Sequence, residues 1–376
     1  MNIAYLDNSA TTQVCEEAAT AVYDMMTQKY GNPSSLHSLG TEAYQCVERA
    51  RSQIAGYMKC EKSEIYFTSG GTEGNNLCVL GAAEAGKRRG RRVVTTQIEH
   101  ASVDKSFDCL EKMGYEVIKV PPEKNGSVDI ERFAEAVTPD TILVSMMVVN
   151  NETGALQPVE KLRSVVRRKG APALIHCDAV QAFGKIPVYP SKLGADLVTI
   201  SGHKIHAPKG VGAVYKAKSA RILPHSYGGE QERALRAGTE AVPNIVGLGA
   251  AVEALPACRE ETERVAGLKK WIVGELRGRV LVNSPEDGLP FILNIAHPGI
   301  RSETMLHHLA SRGVYVSSGS ACSKGKKSGV LKAMGLPDEV IDSALRLSFS
   351  RYNTMEDAKR FVEAYEEGLR ILSRAK

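Results

Sequence analysis

Between residues 65 and 216 the chain keeps returning to one pattern, and that pattern limits the fold more than any single motif. A short run rich in β-branched or aromatic residues stops at a glycine or a polar side chain, and a stretch of helical periodicity follows. Strand-like runs fall at 65–68, 93–96, 115–120, 141–149, 173–177, 195–200 and 212–216. Helical stretches fall near 15–29, 41–59, 77–85, 101–113, 129–137 and 157–169. Strands separated by helices pair in parallel, and a parallel sheet gathers ligands at the carboxyl ends of its strands. Gly71 and Thr72, His100, Asn151, Asp178 and Lys204 all stand at such ends.

Two of these ends carry complementary chemistry. Leu197-Val-Thr-Ile200 is a buried-strand run that turns at Ser201-Gly202 and presents His203 and Lys204. A lysine fixed where a buried strand runs out loses hydration and titrates toward neutrality, and a neutral amine attacks an aldehyde; an ordinary surface lysine is the alternative. Upstream, Ala173-Leu-Ile-His-Cys-Asp178 ends another run in a carboxylate. An anion for a pyridinium nitrogen and an amine for an aldehyde are what pyridoxal phosphate (PLP) requires. Ser69-Gly-Gly-Thr72 before a helix would aim backbone N–H groups at a phosphate, and without Gly-Lys-Ser/Thr it is not a nucleotide loop. His100 could stack on a flat ring and move protons near neutral pH, or be a surface histidine.

Asp178-Ala-Val-Gln181 followed by Ser201-Gly-His-Lys204 resembles the PLP site of the class-V aminotransferases. Ser317-Ser-Gly-Ser-Ala-Cys322-Ser is similar to the NifS/IscS-type cysteine desulfurases of that family, and the likeness runs from Leu6-Asp-Asn-Ser-Ala-Thr-Thr12 to Leu345-Arg-Leu-Ser348. The resemblance implies an α/β protein of PLP-dependent transferase fold type I. Its large domain, residues 14–255, holds a mainly parallel seven-stranded sheet and leaves through a long interdomain helix to about 276. Residues 1–13 and 277–376 form a smaller α+β domain that carries the Cys322 loop, with residues 1–13 an arm across the site mouth.

The resemblance also assigns roles. Lys204 attaches the cofactor and, with His100, moves the substrate proton; Asp178 faces the ring nitrogen and Asn151 the ring hydroxyl. Gly71, Thr72, Gln181, Ser201 and His203 complete the cofactor site. Thr239 reaches the phosphate of a neighbouring subunit, which implies a homodimer with shared active sites. Asn32 and Arg346 hold the carboxylate of L-cysteine, with Arg351 the competing guanidinium. Cys322 takes the substrate sulfur as a persulfide, releases alanine and hands the sulfur to a protein acceptor, either an iron–sulfur scaffold or a tRNA-thiolation enzyme. The segment after Cys322 is slightly shorter than in members that load iron–sulfur scaffolds, which leaves the acceptor open. A selenocysteine lyase or another class-V lyase is the alternative enzyme, and a non-catalytic sulfur-relay subunit the alternative outside catalysis.

The residues around Cys322 fit a nucleophile on their own chemistry. They are small and polar, with Lys324, Lys326 and Lys327 just downstream. Nearby cations lower a thiol from its usual ~8.5 and enrich the thiolate, and a segment with so little to bury is expected to move. An inert core cysteine is the alternative.

Composition narrows the remaining classes. A chain of 376 residues with 43% hydrophobic and 24% charged residues has the make-up of a soluble globular protein. The start lacks a basic, apolar leader, and the most apolar run, 142–149, is too short to span a bilayer, so a cytoplasmic protein without membrane contact is expected. The cysteines at 15, 46, 60, 78, 109, 177, 258 and 322 include no Cys-x-x-Cys pair, so neither a metal site nor a disulfide framework is expected. The net charge of +5 is mild, and Lys87-Arg-Arg-Gly-Arg-Arg92 reads as a solvated helix end. Direct nucleic-acid binding is not expected.

Overall fold

A computed structural model of the protein describes residues 3–319 and 327–372. Chain order runs from β1 (Ala4–Tyr5) through α1 (Glu16–Thr27), α2 (Ser38–Met58), β2 (Ile65–Thr68), α3 (Gly71–Gly86), β3 (Arg92–Thr96), α4 (Ala101–Lys112) and β4 (Glu116–Val120). It continues with β5 (Thr141–Ser145), β6 (Leu174–Asp178), β7 (Leu197–Ser201) and β8 (Gly212–Lys216). These strands from β2 onward build one 7-stranded sheet in the order β2-β8-β7-β6-β5-β3-β4.

Every residue of β2, β5 and β7 is buried, as strands covered on both faces by helices must be. Pairings among β3 to β7 are parallel, and β8 runs antiparallel to both β7 and β2. Connection length explains the exception: only residues 202–211 join β7 to β8, too few for a crossover that would return the chain parallel. Because β8 reverses between them, β2 points the same way as β7. Its carboxyl end and the start of α3 therefore meet the carboxyl ends of β3, β5, β6 and β7.

The expected strand over 141–149 ends at Ser145, but the chain stays extended beside β6, with Met146 N donating to His176 O and Val148 N to Asp178 O. The single long helix expected up to residue 276 is two, Val242–Glu253 and Cys258–Glu275. Pro256 lies in the break; it brings no N–H and turns the residue before it away from helical geometry.

A second layer follows. Strands β9 (Leu281–Val282), β10 (Ile292–Ala296) and β12 (Ala344–Ser348) form a 3-stranded antiparallel sheet, and β11 (Val314–Tyr315) pairs in parallel with β1. Bridges Asp7↔Ser348 and Ser317↔Arg346 tie the N-terminal arm and the segment leading to residue 320 to β12. The arm then crosses to the large sheet: Thr12 N donates to His203 O at 2.9 Å, and Cys15 N to His206 O at 2.9 Å. Among the described residues, no helix is long and apolar enough to cross a membrane.

Candidate active site

The strand ends converge on one cavity of about 250 Å³, lined among others by Gly71, Thr72, His100, Asn151, Asp178, Gln181, Ser201, His203, Lys204 and Arg346. Asp178 closes β6, and its carboxylate accepts from Asn75 Nδ2 at 2.7 Å and from Val180 N at 2.9 Å. Lys204 follows β7, the parallel neighbour of β6. Its amine donates to the carbonyls of Ser9 and Ala10, the latter at 2.8 Å, so the arm supplies the cradle for the amine.

His100 caps α4: Ser102 N donates to its Nδ1 at 3.2 Å, and Ser102 Oγ lies 2.8 Å from the same nitrogen. An amide can only donate, so Nδ1 is the acceptor and the neutral ring carries its proton on Nε2. Burial pushes the imidazole below its usual range; Asp178 opposes that shift and Lys204 adds to it. Asn75 Nδ2 also donates to Ser102 Oγ at 2.8 Å, which links His100, Ser102, Asn75 and Asp178 in one network. Glu99 anchors the turn before His100, accepting from Thr96 Oγ1 at 2.7 Å and Met147 N at 2.9 Å; burial pushes its carboxyl up to about 8. His203 is driven down to about 4, first by burial and then by Lys204.

The far end of the cavity belongs to Arg346 of β12, only 2% exposed. Its Nη1 donates to Asn151 O at 3.0 Å and its Nη2 to Asp7 Oδ1 at 2.8 Å. Nε is buried and has no partner among the described residues, so the guanidinium keeps a donor for a further acceptor. Burial raises the Asp7 carboxyl against the pull of Arg346. Arg351, the sequence competitor, instead donates to Ala254 O and to Tyr352 OH and does not line the cavity.

Other expected site residues lie elsewhere. Asn32 is exposed, and its side-chain oxygen accepts from Ser34 N at 2.9 Å within its own turn, so it is not at the Arg346 end of the cavity. The residue placed beside Arg346 is Asn151. Thr239 is also exposed and outside the cavity. Its neighbour Glu240 and the Asn32 neighbours Pro33 and Ser34 line a separate surface cleft with Tyr44 and Arg51. The buried Arg51–Glu232 pair and the bond from Phe67 N to Glu232 Oε2 fasten the 230–240 stretch to α2 and β2. Cys322 lies outside the described residues.

The sequence reading missed Asn75, Ser102, Ser9 and Ala10. Asn75, one helical turn after Gly71, and Ser102, two residues after His100, carried a positional signal. Ser9 and Ala10 act through backbone carbonyls, which leave no mark on a side-chain pattern.

The cavity fits PLP in this chain. An added Cβ at Gly71 would meet Val180 Cγ2 at 2.9 Å, so a side chain there would crowd the cavity wall at the start of α3, a helix end suited to a phosphate. Gly70, at φ +149°, makes the turn from β2 into that helix in a conformation that L side chains rarely adopt. A carboxylate, an amine and a neutral imidazole line the same space.

Comparison with known proteins agrees across nearly the full length. The aminotransferase class-V family profile matches residues 4–361. The chain is 40% identical to cysteine desulfurase 2 of Trichormus variabilis, covering 96% of this chain and 92% of that protein. It is 40% identical to the cysteine desulfurase IscS of Methanosarcina thermophila over 96% of this chain and 91% of that one. The solved structure of a NifS-like protein superposes with a TM-score of 0.93 at 38% identity, covering 98% of this chain and 100% of that chain. The chain therefore belongs to the class-V aminotransferase family and, within it, to the cysteine desulfurases of the NifS/IscS type.

Proposed function

We propose that the protein is a PLP-dependent cysteine desulfurase that converts L-cysteine to L-alanine, retains the sulfur as a persulfide on Cys322 and passes it to a protein acceptor. The observation that carries this reading is the meeting of Asp178, Lys204 and His100 with Arg346, brought in by the second sheet, around one cavity. Bound there, PLP would supply an electron sink for negative charge at the substrate α-carbon. Lys204 is the amine that would hold it, Asp178 the carboxylate available to the ring nitrogen, and Gly71 and Thr72 the residues that would receive the phosphate, with Asn151, Gln181, Ser201 and His203 lining the rest.

Arg346 offers its unpartnered Nε–H to the substrate carboxylate, and Asn151, whose backbone carbonyl holds the guanidinium, lines the same cavity. His100, held neutral by burial, and Lys204 take and return the α-proton. The Cys322 thiolate attacks the sulfur of cysteine: an S–S bond forms, the Cβ–S bond breaks, and the electron pair left on carbon is protonated to give alanine. Lys324 and Lys326, close after Cys322 in sequence, would favour the thiolate, while Lys327 is paired with Asp338 and Asp342.

We further propose a homodimer with shared sites, in the cytoplasm. Tyr23 and Met26 of α1, Tyr30 and Leu36 of the following loop, and Tyr44 of α2 are exposed between 53% and 102%, a quantity of bare aromatic and aliphatic surface that a second copy would cover. The same segment carries Asn32, so docking there would bring the Asn32 and Thr239 segments to a subunit boundary. The cysteines among the described residues are all free thiols, which suits a reducing compartment. Iron–sulfur scaffold and tRNA-thiolation enzyme both stay open as acceptors.

The test is a single turnover. Purified protein with bound PLP should convert L-cysteine to alanine while the peptide holding Cys322 gains the mass of one sulfur atom. A Cys322→Ala variant should keep its PLP and bind cysteine without gaining that mass. Alanine and sulfide formed by Cys322→Ala at the normal rate would refute the assignment.

A further inference from the structure

Lys185 is a buried ionisable group beside the site that the proposed reaction leaves unused. It is 7% exposed and makes no ion pair among the described residues. A buried cation with no counter-charge costs several kcal/mol unless it sheds its proton or is held by hydrogen bonds. Lys185 Nζ donates to Gln181 Oε1 at 3.0 Å. Gln181 Nε2 donates to Ser9 O at 3.1 Å, and Ser9 O is one of the two carbonyls that hold the Lys204 amine. The chain Lys185 → Gln181 → Ser9 ← Lys204 therefore runs from the rear of the site to the reactive nitrogen.

Deeper in, a small cavity is lined by both lysines together with His206, Glu261 and Arg351. Burial, then Lys204, then Arg346 push the Lys185 amine down to about 7. Glu261 is the carboxylate on that wall, and it is engaged with Arg264. Thr262 Oγ1 holds the Lys185 carbonyl at 3.1 Å, fixing the backbone of this residue to the helix Cys258–Glu275. A primary amine donates N–H whether charged or neutral, so its bond to Gln181 survives loss of the proton without setting a full charge beside Lys204.

We propose that Lys185 is a positioning residue: by occupying Gln181 Oε1 it keeps the Gln181 amide nitrogen turned to Ser9 O and the cavity, and so fixes the carbonyl that aims the Lys204 amine. This rests on the PLP reading of the cavity. Of the two N–H bonds of Gln181, Ser9 takes one, and the other is available to a bound group. Without Lys185 the amide can turn over, which loosens Ser9 and presents an oxygen to the cavity instead of a donor.

The experiment strips PLP from the full-length protein and follows its re-uptake by absorbance, then records the absorption spectrum of the loaded protein against pH. Loss of one net hydrogen bond of about 1–1.4 kcal/mol corresponds to roughly 5- to 10-fold. Lys185→Met is therefore expected to slow uptake by about that factor and to move the pH midpoint of the spectrum. Lys185→Gln, which keeps an N–H donor, is expected to recover most of both and also serves if Lys185→Met does not fold. In a Gln181→Ala background, Lys185→Met should change uptake less than about twofold.

An unchanged uptake rate and spectrum in Lys185→Met, or a fall in melting temperature alone, would overturn the proposal. So would an equal effect of Lys185→Met with and without Gln181. A wild-type protein that takes up no PLP would overturn the cofactor reading itself, and this inference with it.

Discussion

Replacing Asp178 by Asn tests the electrostatic centre of the site, and the structure separates its cost to folding from its cost to function. Asp178 accepts two hydrogen bonds, from Val180 N at 2.9 Å and from Asn75 Nδ2 at 2.7 Å. Val180 N is donor-only, so the single oxygen of an asparagine must stay there and its amide nitrogen must face Asn75. Asn75 can answer by turning its own oxygen inward, but its Nδ2 then leaves Ser102 Oγ, whose single hydrogen already serves His100 Nδ1. One charge-assisted bond is thus exchanged for a neutral one and one neutral bond is lost, about 2–3 kcal/mol, which a folded protein survives. The functional loss is larger. With PLP bound, a carboxylate at ion-pair range of its ring nitrogen, taken as about 4 Å at an effective dielectric of about 20, would contribute up to about 4 kcal/mol, or roughly a thousandfold in rate. A second signature accompanies it: Asp178 raises His100 against the burial that lowers it, so removing the charge lowers His100 further. The acid limb of the rate profile should then move to lower pH. The assay is alanine formation from L-cysteine against pH, normalised to bound PLP by absorbance. Turnover within about tenfold of wild type, with the acid limb unmoved, would refute the reasoning.

Arg346→Lys keeps a charge but loses the planar fork, and it should raise KM for cysteine by roughly 30-fold or more while Arg351→Lys leaves KM unchanged; steady-state kinetics of both variants decides between the two guanidiniums. Asn75→Ala removes a bond to Asp178 and one to Ser102, and should weaken PLP retention by about tenfold in equilibrium dialysis; unchanged retention would show that the network does not hold the carboxylate. Arg51→Met leaves the Glu232 carboxylate buried without its bidentate partner and should cost about 3–5 kcal/mol in urea unfolding, and a loss under about 1 kcal/mol would refute that account. Buried His176 is held down to about 4 against an ordinary 6.5, so the unfolded chain binds this proton at higher pH than the folded one. Stability is therefore present above pH 6.5 and lost as pH falls from 6.5 toward 4, as are the contributions of His203 and His206, and a urea midpoint equal at pH 7 and pH 5 would contradict this.

Much of the site was legible because strand ends are local events. A β-branched run followed by Ser201-Gly202 fixes where a strand stops, and the residue just beyond it inherits that position; Asp178, Lys204 and His100 were therefore readable one at a time. The reversal of β8 was not read, although the short 202–211 connection already forbade a parallel return. Pro256 likewise marked a helix break that helical periodicity on either side concealed. Asn32 and Thr239 are a different case: their turns are plain in the sequence, but a turn pattern does not say whether it faces its own cavity or, as expected for Thr239, a neighbouring subunit, and here both are exposed on the protomer.

By itself, the sequence determined the order of strands and helices through the large sheet, the polar residues that follow several of its strands, and which nucleophile and charges the chain owns, since all of these follow from neighbours along the chain. Only the tertiary structure decided that the arm's Ser9 and Ala10 carbonyls cradle Lys204, that Arg346 enters from a different sheet, and that Lys185 stands behind Gln181. Contacts of that kind join groups far apart in sequence, and they are settled by how the two layers pack.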